Sequence, residues 1–132
     1  MKTRLLLSVF LVLVITVTSF GSIKPNPVKK DAMNRDVVIT NLMNGIQSEN
    51  QGLRISSSYF LGELKSGEAV IPLMRILKSD DNEESRIMAA LSLLKIEDSR
   101  GLYAIKQAVN FDSSERVKKM CAIFYRDYLS KK

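Results

Sequence analysis

The stretch Arg86-Ile87-Met88-Ala89-Ala90-Leu91-Ser92-Leu93 decides the fold, because the chain carries its pattern three times at an offset of 32 residues. It lies over Arg54-Ile55-Ser56-Ser57-Ser58-Tyr59-Phe60-Leu61 before it and Lys118-Lys119-Met120-Cys121-Ala122-Ile123-Phe124-Tyr125 after it. The columns Ser57/Ala89/Cys121 and Ser58/Ala90/Ala122 are small, whereas Leu61/Leu93/Tyr125 and Leu64/Ile96/Tyr128 are large and apolar. Small paired columns let helices approach closely, and the large columns fill the space between layers. The preceding segment repeats on the same offset, through Val38/Val70/Leu102 and Ile39/Ile71/Tyr103. A further column holds Leu73 and Ile105 but has Asn41 in the first copy. Each copy therefore holds two helices, over about 33–47 with 51–65, 68–78 with 82–96, and 100–109 with 113–129. One such pair cannot bury its apolar face, but three stacked pairs form a continuous core. The expected fold is all-α, an alpha-alpha superhelix of about three helix pairs.

The punctuation agrees. Ser48-x-x-Gln51, Asp81-x-x-Glu84 and Asp112-x-x-Glu115 read as capping boxes that open the second helix of each copy. Pro72 falls in the first turn of its helix, where a missing N–H costs little. Gly67 and Gly101 stand near the tight turns between copies.

These features resemble the HEAT repeat family, in particular the short HEAT-like units of phycobilisome lyases. Ala69-Val70-Ile71-Pro72-Leu73 matches that family's first-helix pattern, and Arg86-x-x-Ala89-Ala90-Leu91 its second-helix pattern. The family places an acid six residues before the second-helix basic residue. Asp80 precedes Arg86 and Asp112 precedes Lys118 in this way, whereas Ser48 precedes Arg54. The resemblance is strongest in the middle copy and weakest in the first helix. It implies a HEAT-like solenoid and speaks to architecture more than to activity.

Composition narrows the function. With 132 residues there is room for one small domain, not for two lobes around a substrate cleft. The chain has no His, the side chain most used for acid–base work near neutral pH and for metal ligation. One Cys forms neither an intramolecular disulfide nor a CxxC site. Lys and Arg number 20 against 14 Asp and Glu. Part of that excess lies in Met1-Lys2-Thr3-Arg4, a positive start followed by the uncharged apolar run Leu5–Phe20 and the small residues Ser19 and Gly21. Together these read as a secretory signal peptide. The run is also shorter than the roughly 20 apolar residues of a spanning helix. We expect residues 1–21 to be the signal peptide, residues 22–32 a Pro/Lys-containing spacer, and residues 33–132 the repeat domain (copies about 33–65, 68–96 and 100–129). The expected location is periplasmic or extracellular, with anchoring by an uncleaved N-terminal segment as the alternative. Without Lys2 and Arg4 the balance is 18 basic to 14 acidic residues.

Several groups invite chemistry. Arg54, Arg86 and Lys118 form an in-register basic column, which reads as a stripe for an acidic partner. The family resemblance implies instead a ladder of inter-turn hydrogen bonds to Asp80 and Asp112, and the matching acids in two copies favour it. The last helix adds Arg116, Lys119 and Arg126, ahead of Lys131 and Lys132; a terminal repeat needs such a polar face. Asp80-Asp81-Asn82-Glu83-Glu84 lacks a calcium-loop spacing and reads as helix capping in a favourable dipole. Cys121 falls in a small column and reads as a packed thiol. Ser92-x-x-Lys95 matches the SxxK string of serine acylases without its companion motifs.

With no cofactor motif, no metal constellation and no nucleophile–base pair, the sequence points to a non-catalytic protein–protein interaction module or scaffold, not an enzyme. The resemblance implies that the second helices line the concave side. Their exposed basic positions, Arg54, Arg86, Lys95, Lys118 and Lys119, form the candidate contact set for a protein partner of acidic character. Binding to an anionic membrane surface through the basic C-terminal helix is the alternative reading, and membership of an enzyme complex a more distant one. Nucleic acid is disfavoured by the export signal. Three pairs are near the minimum for independent stability, which leaves self-association open.

Overall fold

Every second helix opens on a short polar side chain that accepts a backbone hydrogen bond three residues on. The computed structural model describes residues 35–132; the signal-peptide and spacer readings lie outside them. Six helices follow in order: α1 (Arg35–Gly45), α2 (Gln51–Glu63), α3 (Val70–Ser79, entered through a 3-10 turn at Gly67–Ala69), α4 (Glu83–Ile96), α5 (Ser99–Phe111) and α6 (Glu115–Ser130). The described residues contain no strand. Helices α1 and α2, α3 and α4, and α5 and α6 pack as pairs. The second helices α2, α4 and α6 pack in series to form one layer, and α3 packs on α5 in the other. The architecture is an all-α superhelix of three helix pairs.

The caps correct the expected boxes. Asn50 Oδ1 accepts from Leu53 N–H, Asn82 Oδ1 from Ser85 N–H and Ser114 Oγ from Val117 N–H, at 3.0, 2.9 and 3.3 Å. The capping column is therefore Asn50/Asn82/Ser114, not Ser48, Asp81 and Asp112. The side chains two residues earlier, of Ser48, Asp80 and Asp112, accept from the N–H of the cap residue itself, at 3.1, 2.9 and 2.8 Å. They shape the loop before the helix rather than end the helix.

The turns between copies also differ from expectation. Neither Gly67 nor Gly101 is left-handed; among the described residues those at positive φ are Lys65 (49°) and Glu97 (62°), one repeat apart, at the ends of α2 and α4. Gly101 instead permits a close approach, since a Cβ there would lie 2.9 Å from Leu93 Cδ2.

The core runs through both layers, with Leu61, Leu73, Leu93, Ile105 and Val117 completely buried. Asn41, in the column that Leu73 and Ile105 bury, is exposed. An amide cannot be buried there without a hydrogen-bond partner, so α1 turns Ile39 inward instead. In the other two copies that column is outside: Ile71 and Tyr103 are exposed.

A close backbone contact between successive repeats, within the layer of second helices, is at Gly62. A Cβ there would lie 2.7 Å from Ser92 Cα. Ser92 Oγ is buried 2.7 Å from the Ser58 carbonyl of the preceding repeat and 2.9 Å from that of Met88. This geometry yields a contrast measurable by urea unfolding. Gly62→Ala should destabilise by about 1–3 kcal/mol through overpacking. Gly67→Ala, where a Cβ meets nothing within 4 Å, should be neutral or stabilising by up to about 1 kcal/mol.

Candidate interaction surfaces

The basic column of the second helices is a ladder between repeats. Arg54 Nε donates to Asp80 Oδ2 at 3.1 Å, while its Nη1 donates to the Ser48 and Glu49 carbonyls, both at 2.9 Å. Arg86 repeats the arrangement one step on. Its Nε and Nη2 donate to Asp112 Oδ2 and Oδ1 at 3.1 and 3.0 Å, and Nη1 donates to the Asp80 carbonyl at 2.7 Å. Each arginine thus holds its own loop and the acid of the next repeat. The second rung is the drier: the Arg86 and Asp112 side chains are 8% and 6% exposed, against 19% and 12% for Arg54 and Asp80. The third member of the column, Lys118, turns back to Glu115 of its own helix at 2.8 Å.

The other candidate contact residues divide. Lys95 pairs with Glu63 one repeat back and lies 4.8 Å from the centroid of the Tyr59 ring. The hydrogen bond from Lys95 holds the Glu63 carboxyl below its ordinary range, and the same bond raises Lys95. Lys119 is exposed and makes no ion pair among the described residues. Of the five candidates, Arg54 and Arg86 have their guanidinium groups engaged inside the stack, Lys95 and Lys118 are held in ion pairs at its surface, and Lys119 faces solvent. The acidic cluster is distributed likewise: Asp80 joins the ladder, Asn82 caps α4, and Glu84 receives Arg116 of α6 at 2.6 Å. Among the described residues no group of three or more His, Cys, Asp or Glu is placed to hold a metal ion, and no helix is long and apolar enough to cross a membrane.

A second surface was not singled out by the sequence reading. Between α3 and α5, on the outside of the first-helix layer, runs a groove of about 790 Å³. Ile71, Met74 and Leu77 line it from α3, and Tyr103, Ala104, Ala108 and Phe111 from α5. Ile71, Tyr103 and Phe111 are 48%, 62% and 77% exposed, large apolar side chains left in water. Arg75 and Lys78 stand in its wall, and neither makes an ion pair among the described residues. Asp112, at one end, has both carboxylate oxygens engaged by Arg86. Neither α3 (VIPLMRILKS) nor α5 (SRGLYAIKQAVNF) contains an acid. That absence was the readable signal. A smaller groove of about 550 Å³ lies between α4 and α6, with Leu91, Leu94, Ile123 and Phe124 among its lining residues.

No protein-family model matches the chain, and no curated protein is significantly similar to it.

Cys121 is completely buried in its small column. Burial, and secondarily the charge of Asp112, push its thiol up to about 12. The folded protein therefore keeps a proton that the unfolded chain loses from about pH 9 upward. We expect no labelling of Cys121 by a disulfide reagent at pH 8 until denaturant is added. We also expect stability to fall as pH rises from about 9 towards 12. Rapid labelling of the native protein would contradict this placement.

Proposed function

We propose that the chain is an exported, non-catalytic protein-interaction module that works in the cell envelope or outside the cell as a rigid repeat surface. One observation carries the reading. The polar side chains with the most directional chemistry, Arg54, Arg86, Asp80, Asp112 and Ser92, are engaged in holding one repeat to the next. Among the large side chains left exposed, Tyr59 and Phe60 on α2 and Ile71, Tyr103 and Phe111 on the first-helix layer are of the kind that anchor protein contacts. A stack fixed by close contacts and inter-repeat hydrogen bonds presents such anchors without reordering on binding, which lowers the entropic cost of association. The HEAT-like character supports the same reading by analogy of architecture. The positive start and apolar run of residues 1–20 support export.

The test is chemical crosslinking and pull-down with the full-length protein as bait, against envelope and extracellular fractions. A saturable partner is expected, lost on substitution of exposed anchors on one face and retained with substitutions on the other. Recovery of no partner, or turnover of a small substrate by the purified protein, would remove the proposal.

A further inference from the structure

We infer that the groove between α3 and α5 is the docking site, and that its occupant is an acidic amphipathic helix of a partner protein. This rests on the protein-interaction reading above and adds the surface and the chemistry of the partner. The shape argument comes first. Tyr103 and Phe111 lie eight residues apart on α5, about 12 Å along the axis. A helix laid in the groove presents apolar side chains at i, i+4 and i+7 over about 10 Å, so its ridge fits between these two rings and Ile71 on the facing helix. Two facing helices with apolar walls form the same kind of seat that each repeat offers to the next within this fold.

Charge then selects among occupants. The first-helix layer carries Arg75, Lys78 and Lys106 with no ion pair among the described residues, and no acid on α3 or α5 to answer them. A helix flanked by carboxylates satisfies Arg75 and Lys78 while its apolar stripe covers Ile71, Tyr103 and Phe111. A second copy of the chain is a poorer match, because α4 and α6 engage Glu83, Glu84, Glu115 and Asp127 internally. An anionic bilayer is a poorer match as well. Its surface cannot enter a groove between two helices, and three cations fall short of the roughly four to eight that mark lipid-binding clusters.

The probe is a display library of helical peptides with apolar residues fixed at i, i+4 and i+7 and all other positions randomised, selected against the full-length protein. Enriched peptides should carry Asp or Glu beside the apolar stripe and weaken with salt. The exposed-site variant Arg75→Glu/Lys78→Glu should weaken them about tenfold or more, and Phe111→Ala comparably, while Lys119→Glu on α6 should change affinity less than about twofold. Binders without acidic bias, or binders indifferent to Arg75→Glu/Lys78→Glu, would overturn the groove assignment. The interaction reading would then still stand on its own crosslinking test. Groove-dependent retention on phosphatidylglycerol vesicles, or a self-association that Phe111→Ala abolishes, would also overturn it. Failure of both the library and the crosslinking to yield any binder would remove the two proposals together.

Discussion

The carboxylate of Asp112 has two duties, and the stack depends on both. One oxygen accepts the N–H of Ser114 and sets the loop that launches α6. The same carboxylate receives two N–H groups of Arg86 from the preceding repeat. Asp80 has the same pair of duties toward Asn82 and Arg54. Coupling loop shape to the neighbouring repeat means that a repeat out of register loses its helix entry as well as its ion pair. Energetically the buried rung is not a large net gain, because two charges are removed from water to make it. Its force lies in the alternative: an unpaired Arg86 or Asp112 at this depth costs about 3–5 kcal/mol. The ladder therefore acts against misaligned stacking, while the apolar columns supply the attraction.

The first and last described copies depart from this rung. At the first repeat Ser48 replaces the acid, and it shapes its loop through the same bond to the cap residue. At the last repeat Lys118 replaces the arginine and folds back on Glu115.

Much of this was legible in the sequence. The offset of 32 residues places Ala89, Ala90 and Leu93 in the core, and the family resemblance implies the bond from Arg86 to an acid of the ladder. Helix entries were legible only to within a residue or two. Ser48 and Asp112 look like caps, and only the loop geometry shows that Asn50 and Ser114 do the capping. The left-handed positions could not be read, because Lys65 and Glu97 are not residue types that favour positive φ. The groove could have been found. Residues two apart on a helix point roughly 200° from one another, so the columns Ile71/Tyr103 and Leu73/Ile105 cannot both face the core. One apolar column had to lie outside, and the acid-free composition of α3 and α5 marks the same face. The candidate contact set was drawn from the second helices because the family resemblance implies that they line the concave side, and three of its five members, Arg54, Arg86 and Lys118, are in register. That same register is what allows Arg54 and Arg86 to be engaged by the stack.

The division of labour, with second helices holding the stack and first helices facing outward, stands or falls with the coupling between Arg86 and Asp112. A double-mutant cycle with Arg86→Met and Asp112→Asn, read by urea unfolding, measures it directly. We predict that each single change destabilises strongly and that the pair is non-additive by about 2 kcal/mol or more, because the second change removes a charge already orphaned by the first. Additivity within about 0.5 kcal/mol would show that the two side chains act independently, and would contradict the account of a ladder that aligns the repeats.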